Sequence, residues 1–456
     1  MKRTILLPLL VLVLVACTQT REFVKPVDQP YELSNREIRA LPEMPRDRSQ
    51  IRNVEIRDTF PLATDTDYYF KDFKRYFKVD YAPCILDYVD KVSLQALPSP
   101  EPSSKSYSCS RVQFDGDRIF VSYDVRIDPD SLVSRGYGEL RQDHVAIYKR
   151  NGKLVKRVEI PVNTEMIGHF ILDRTNKELV MEEKGTRQIR CYDYNGTFLR
   201  TVDLPKNTPF LFNTRGTWVQ RHGLDKPDGR FSPVFVVFND SLQPVAKVTD
   251  CELMHRHFVD FPIDDDCMGR GVSDTIWQVL PDRCVARYVL TGEKLLPRFV
   301  YNEPDSTFDK KAQDGKLTMD YLQLGNSSLL YTPLRRSILM ENGEFGFDAL
   351  IAHLYNARTG HAINYRTNYN DYNLTRKLSF AEWIIAKGIL DTPTAILPDF
   401  TLVYRCGSYG LKKELAHLLE KPEAEREAII TKKDEQFVRK LGLNDLVLIY
   451  VKLKKF

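Results

Sequence analysis

The chain has 456 residues, 43% apolar and 28% charged, with 66 Lys plus Arg against 62 Asp plus Glu. This globular composition excludes a wholly disordered, collagen-like or multi-spanning membrane chain. A net charge of +4 carries no electrostatic footprint of a nucleic-acid partner, and none is expected.

At the start, Lys2 and Arg3 precede an apolar run from Ile5 to Val15 broken only by Pro8. Charge followed by a short apolar stretch is the layout of a secretory signal, too short to span a bilayer comfortably. The run ends Leu14-Val15-Ala16-Cys17, which resembles the bacterial lipobox. An ordinary cleaved signal would not need Cys there. Residues 1–16 are therefore read as a lipoprotein signal peptide and Cys17 as the lipidation site. One acyl chain holds only weakly, and the several chains that the lipobox chemistry implies suffice for stable anchoring. Residues 17–48 carry Pro26, Pro30, Pro42 and Pro45 among polar and charged residues, and read as an extended tether. Gln19-Thr20-Arg21-Glu22 lacks the acidic cluster associated with surface export in some Gram-negative groups, which leaves both the periplasmic and the surface side open. Without Cys17, seven of the eight Cys remain, an odd number. A disulfide framework is not expected, and buried free thiols are.

Residues 49–456 are read as one folded body built on a recurring hairpin. Its clearest copies are His144-Val-Ala-Ile-Tyr-Lys-Arg-Asn-Gly-Lys-Leu-Val and Arg190-Cys-Tyr-Asp-Tyr-Asn-Gly-Thr-Phe-Leu. Looser copies start at Val234, Val285 and His353. Gly and Asn at the turns reach the positive φ that tight hairpins need. The turns fall near 151, 195, 240, 291 and 359, at intervals of 44, 45, 51 and 68 residues. A second hairpin precedes most copies, which gives four strands per unit. A mid-forties period of four strands is the pattern of propeller blades, whereas a β-sandwich explains the strands but not the repeat. The fold class expected is all-β, a six-bladed β-propeller. Arg52-Asn-Val-Glu-Ile-Arg-Asp and the terminal Asp445-Leu-Val-Leu-Ile-Tyr-Val-Lys-Leu-Lys are expected to share the sixth blade and close the ring.

Residues 379–442 read as a C-terminal helical insertion before that closing strand. Ser379-Phe-Ala-Glu matches a capping box. Leu411, Leu415, Leu418 and Leu419 share one helix face. Pro422 opens a further helix with early Glu residues, and Gly442 is its expected stop.

Three stretches, Val54-Glu-Ile-Arg-Asp-Thr-Phe-Pro-Leu, Val272-Ser-Asp-Thr-Ile-Trp-Gln-Val and Asn444-Asp-Leu-Val-Leu-Ile-Tyr-Val-Lys-Leu-Lys, resemble in their order the six-bladed β-propeller lipoproteins of Bacteroides-like bacteria. Where many members have Asn-Pro before the last strand, this chain has Asn444-Asp445. It also has only Arg135-Gly-Tyr-Gly-Glu where many have a Gly-rich stretch after the first blade. The family is largely uncharacterised, so the resemblance implies a fold and an envelope address but no catalytic residues.

Two clusters are candidate sites. His255 and His257 would share one side of a strand, with Asp260, Asp264, Asp265 and Asp266 close by. Imidazole suits zinc and carboxylates suit calcium, but the spacing matches neither H-E-x-x-H nor an EF-hand. Charged loop residues beside a strand are commonplace, and no cofactor is expected. Tyr365, Tyr369 and Tyr372 are interleaved with Asn364, Asn368, Asn370 and Asn373, rings that stack on sugars beside amides that bond hydroxyls. The alternative there is a Tyr/Asn-rich loop packed on its own blade. No P-loop, G-x-S-x-G or G-x-G-x-x-G occurs.

The expected function is that of a lipid-anchored protein of the cell envelope, in the outer membrane, whose propeller is a binding or scaffolding platform for a glycan, peptide or envelope protein. The alternative is an envelope lyase or hydrolase acting on a glycan or peptide at the central channel, because propeller active sites are assembled from several loops.

Overall fold

A computed structural model describes residues 33–56, 85–100, 107–126, 141–159, 170–183, 188–203, 211–214, 217–225, 231–239, 241–249, 262–263, 267–268, 275–293, 295, 317–319, 324–325, 329–339, 345–366, 378–386 and 393–456.

The first described elements are a short helix α1 (Asn35–Ala40) and two short strands, β1 (Arg46–Asp47) and β2 (Arg52–Glu55). A 3₁₀ turn, Ile85–Tyr88, leads into β3 (Val89–Leu97). Sheets then follow in chain order. Sheet I holds β4 (Tyr107–Asp115), β5 (Arg118–Arg126), β6 (Arg141–Lys149) and β7 (Leu154–Glu159). Sheet II holds β8 (Phe170–Asp173), β9 (Glu178–Glu183), β10 (Gln188–Asp193) and β11 (Phe198–Asp203). Sheet III holds β12 (Leu211–Thr214), β13 (Thr217–Asp225), β14 (Phe231–Phe238) and β15 (Pro244–Val248). Sheet IV holds β16 (Pro262–Ile263), β17 (Cys267–Met268), β18 (Thr275–Val279) and β19 (Cys284–Thr291), with β1 and β2 added in parallel to β19. Sheet V holds β20 (Leu317–Met319), β21 (Leu324–Gly325), β22 (Leu329–Leu339), β23 (Phe345–Asn356) and β24 (Ala362–Arg366). After helix α2 (Phe380–Ala386), sheet VI combines β25 (Ala395–Leu397), β26 (Thr401–Gly407) and β27 (Leu446–Leu453) with β3, in the order β25-β26-β27-β3.

Neighbouring sheets meet through separate apolar clusters rather than one central core. Phe120, Ile147, Phe170 and Met181 join sheet I to sheet II. Val180, Cys191, Val234 and Val236 join II to III. Val219, Val237, Val279 and Cys284 join III to IV. Tyr288, Leu290, Leu330 and Leu334 join IV to V. Tyr331, Leu354, Leu402 and Ile449 join V to VI. Leu448, Val403, Val121 and Ala146 join VI back to I. The middle strands thus bury both of their faces, as at Ile119–Val121, Val145–Tyr148, Val234–Phe238 and Leu446–Ile449, which is why these runs are apolar on both sides instead of alternating. Outer strands such as β3, β11 and β15 carry exposed residues. The innermost strands lie side by side: β8 with β12, β12 with β16, β16 with β21, β21 with β25, and β25 with β4. Between β4 and β8, Arg111 makes the link, its Nη1 donating to the Phe170 carbonyl at 3.2 Å. Sheets wedged around a common axis in this way form a β-propeller.

The hairpin turns at Asn151-Gly152 and Asn195-Gly196 lie where the sequence puts them, with both glycines at positive φ (84° and 80°). Several expectations need correction. The partner of the terminal strand in sheet VI is β3, antiparallel from Leu446↔Leu97 to Leu453↔Val89, not residues 52–58. Residues 52–55 instead pair with Tyr288–Thr291 in sheet IV. The tether assigned to residues 17–48 ends earlier, because the chain from Leu33 onward packs on the body. The fourth hairpin turns at Pro281-Asp282-Arg283, where the Leu280 amide donates to the Arg283 carbonyl at 2.8 Å. Thr291 is the end of β19, not a turn.

The segment 379–442 is not uniformly helical, since β25 and β26 lie inside it. Its helices are α2 and a group between β26 and β27: α3 (Ser408–Leu419), α4 (Glu423–Ile429) and α5 (Lys432–Lys440). The single helix expected after Pro422 breaks at Ile430, where Thr431 starts a new capping box with Asp434. The Ser379–Glu382 capping box is present, with the Ser379 amide on Glu382 Oε2 at 2.9 Å.

Candidate functional site: the long-connection face

The two faces of the ring differ. One carries tight turns, at 116–117, 150–153, 174–177, 280–283, 357–361 and 398–400. The other receives the connections between second and third strands and between successive sheets. Among its described parts is the helical group α3–α5, inserted where β26 would otherwise turn into β27.

The helical group is held to the ring by a buried leucine face. Leu411, Leu415 and Leu418 of α3 are at most 4% exposed and pack with Ile430, Val438 and Leu441 against strands of sheets V and VI. Two polar joints fix its base. The Ser408 amide donates to the Asp445 carbonyl at 3.0 Å, and Ser408 Oγ donates to the Leu443 carbonyl at 2.6 Å. The Asp445 carboxylate accepts from the Ser99 amide at 2.9 Å and the Gly442 amide at 2.7 Å, so it ties the insertion to the end of β3. At this base, Tyr409 is 75% exposed and Leu443 74%. Two large apolar side chains, Tyr409 at the start of α3 and Leu443 just before β27, are thus left in water beside the buried leucine face.

A polar cluster lies between sheets VI and I. Arg405 on β26 donates from Nη1 to the Cys109 carbonyl at 2.7 Å and approaches Cys109 Sγ at 3.5 Å. Tyr123 and Tyr148 share a hydrogen bond at 3.1 Å, and Tyr148 donates to the Pro98 carbonyl at 2.8 Å. The His144 ring lies 5.9 Å from that of Tyr123. Burial pushes the phenols of Tyr123 and Tyr148 well above the usual tyrosine range. These phenols therefore stay protonated at neutral pH and cross-link the wall. The Cys191 and Cys406 thiols are each pushed up by burial to about 11, which leaves them protonated and unreactive. In sheet III, burial pushes His222 down to about 4, and its Nε2 lies 2.5 Å from Gln220 Oε1.

The sequence-derived candidates fall differently. Tyr365 sits on β24, 1% exposed, in the cluster between sheets V and VI, with its hydroxyl 3.4 Å from that of Tyr404. Its ring is covered and cannot stack on a sugar. Tyr369 and Tyr372 lie outside the described residues, as do His255, His257 and Cys17. No group of three His, Cys, Asp or Glu placed to hold a metal occurs among the described residues. Sequence reasoning missed Tyr409 and Leu443, although a signal was present. Leu411, Leu415 and Leu418 fix the buried face of α3, and Tyr409 falls off it.

The sequence matches no family model and no curated protein. Among solved structures, a Bacteroides fragilis protein predicted to be exported superimposes with a TM-score of 0.55 at 12% identity, covering 89% of this chain and 100% of its own. A DUF4221 family member from Bacteroides vulgatus aligns over 81% of this chain and 98% of its own, with a TM-score of 0.40 and 11% identity. At such identities only the fold is shared, and the first of these shares it along its whole length.

Proposed function

We propose that this chain is a lipid-anchored envelope protein, tethered through Cys17, whose six-bladed ring is a binding platform that engages a peptide or protein partner on its long-connection face. The observation that carries this reading is the exposed pair Tyr409 and Leu443 at the base of the helical group. Tyrosine is among the side chains that dominate the energetics of protein contacts, and the hydrogen bonds of Ser408 to Leu443 and Asp445 hold this base in place. Six sheets joined pairwise by apolar clusters support the blade number. The envelope address is supported by the signal-like N-terminus and by the Bacteroides protein of the same fold that is predicted to be exported.

The test is capture of partners from envelope extract by the lipid-free Cys17→Ser chain. A Tyr409→Asp/Leu443→Asp variant, with unchanged thermal unfolding, is expected to retain at least tenfold less of the captured partner. Equal capture by both chains would place the contact elsewhere. Turnover of an envelope glycan or peptide by the purified chain would replace the binding reading with the lyase or hydrolase one. Anchoring is tested separately: labelled palmitate is expected to enter the wild type and not Cys17→Ser.

A further inference from the structure

Residues 33–56 form a belt on the outer rim of the ring. It enters between sheets II and III, where Leu33 and Ile38 join Val180, Cys191, Val234 and Val236. It crosses the edge of β15 in a parallel bridge, with the Met44 amide on the Lys247 carbonyl at 2.8 Å and the Lys247 amide on the Pro42 carbonyl at 2.9 Å. Met44, 3% exposed, fills the groove between sheets III and IV. Further on, β1 and β2 run parallel to β19, with the Cys284 amide on the Pro45 carbonyl at 2.8 Å and the Ile56 amide on the Thr291 carbonyl at 2.6 Å. Val54 and Ile56, at most 1% exposed, close the groove between sheets IV and V.

The belt therefore has the anatomy of a bound peptide. Main-chain bonds to exposed sheet edges fix its direction, and side chains at 33, 38, 44, 54 and 56 enter successive grooves. The residues between these anchors include Arg36, Arg39, Glu43, Arg46, Asp47, Arg48, Arg52 and Glu55. The ring does not depend on the belt for its own continuity. Sheet III has its four strands without it, as sheets I and II do. The innermost strands of sheets II to V also meet one another directly. Residues 57–84 separate the belt from β3, and at roughly 3.3–3.6 Å per residue that length reaches up to about 100 Å, so chain connectivity does not dictate where the belt lies.

We propose that the outer rim from sheet II to sheet V is a peptide-binding site of the strand-addition type. Its ligand is a segment with apolar anchors spaced as at 38, 44, 54 and 56, helical around the first anchor and extended along the sheet edges from residue 43 on, and residues 33–56 are the resident, exchangeable occupant. The site is separate from the long-connection face and holds whether or not a partner binds there.

The test keeps the whole chain and introduces a protease site within residues 57–84. After cleavage, the N-terminal piece is expected to co-elute with the ring. A tenfold or greater excess of labelled synthetic peptide 33–56 should then replace it, with an anisotropy increase on the nicked protein and little on the uncut one. The same peptide carrying Met44→Asp and Ile56→Asp should bind at least tenfold more weakly. Loss of the ring's cooperative unfolding on cleavage would show that the belt is integral to the fold and overturn the proposal. So would release of the piece without rebinding, a piece that no excess of peptide displaces, or equal binding of the doubly substituted peptide.

Discussion

Ile56→Ala tests whether the belt belongs to the folded body. Ile56 is 1% exposed and packs in the cluster between sheets IV and V. The substitution removes three carbons, about 2.4 kcal/mol at roughly 0.8 kcal/mol per buried methylene. The cavity left behind adds to that loss, and measured Ile→Ala changes run about 2–5 kcal/mol. We expect about 3 kcal/mol. For roughly 400 cooperatively folded residues the unfolding entropy is about 0.8 kcal/mol/K, so Tm falls by about 4 °C. Urea unfolding read by tryptophan fluorescence, with a calorimetric scan beside it, measures both quantities. Arg39→Ala, at an exposed belt position, is the matched control and should shift stability by less than about 0.5 kcal/mol. If Ile56→Ala behaves like the control, the belt does not contribute its burial to folding and the reasoning fails.

Further outcomes follow from other parts of the ring. Burial depresses the His222 and His353 imidazoles, His222 to about 4, so both are neutral in the folded protein. Near pH 6.5 and below, the unfolded chain binds protons that the folded one refuses, so stability present at pH 7.5 falls between about 6.5 and 4, by roughly 3 kcal/mol for His222 alone. Urea midpoints across that window should slope less in His222→Gln, and an unchanged slope would exclude the assignment. Gly116 and Gly196 both have positive φ, but a Cβ at 116 meets open space whereas one at 196 would lie 2.6 Å from Lys156 Cγ. Gly116→Ala should therefore destabilise by about 1 kcal/mol and Gly196→Ala by clearly more, in the same unfolding assay. Thr431→Ala removes the side-chain oxygen that accepts from the Asp434 amide at the start of α5 and should lose about 1 kcal/mol. A neutral result there would mean that packing alone sets the helix start.

What could be read from the sequence was local. Asn-Gly turns at 151–152 and 195–196 declare themselves because few other dipeptides reach that backbone. The leucine face of α3 is periodic and legible for the same reason. The belt was not legible because its strands are two and four residues long. Strand addition uses main-chain groups, and the anchors at 38, 44 and 54 follow no helical or strand period. Thr291-Gly292 resembled a turn, yet Gly292 is needed because a Cβ there would lie 2.5 Å from the Ile56 carbonyl. Its reason for being glycine is the belt, a contact remote in sequence. Likewise, residues 52–58 and 89–97 are both strand-like, and only tertiary packing decides which of them receives the last strand. Tyr365 shows the same limit at the candidate site: its composition suited a sugar platform, but its register on β24 turns it inward.

The order of sheet VI bears on biogenesis. β3 ends at Leu97, and its partner β27 begins at Leu446 near the carboxyl end. At roughly 5–20 residues per second, a ribosome needs about 20–70 s to make the intervening chain. Throughout that interval the ring has no latch, and the edge of β3 stays unpaired. Ring closure therefore waits on β27, however early the other five sheets assemble, and β27 is the key that locks a ring otherwise left ajar.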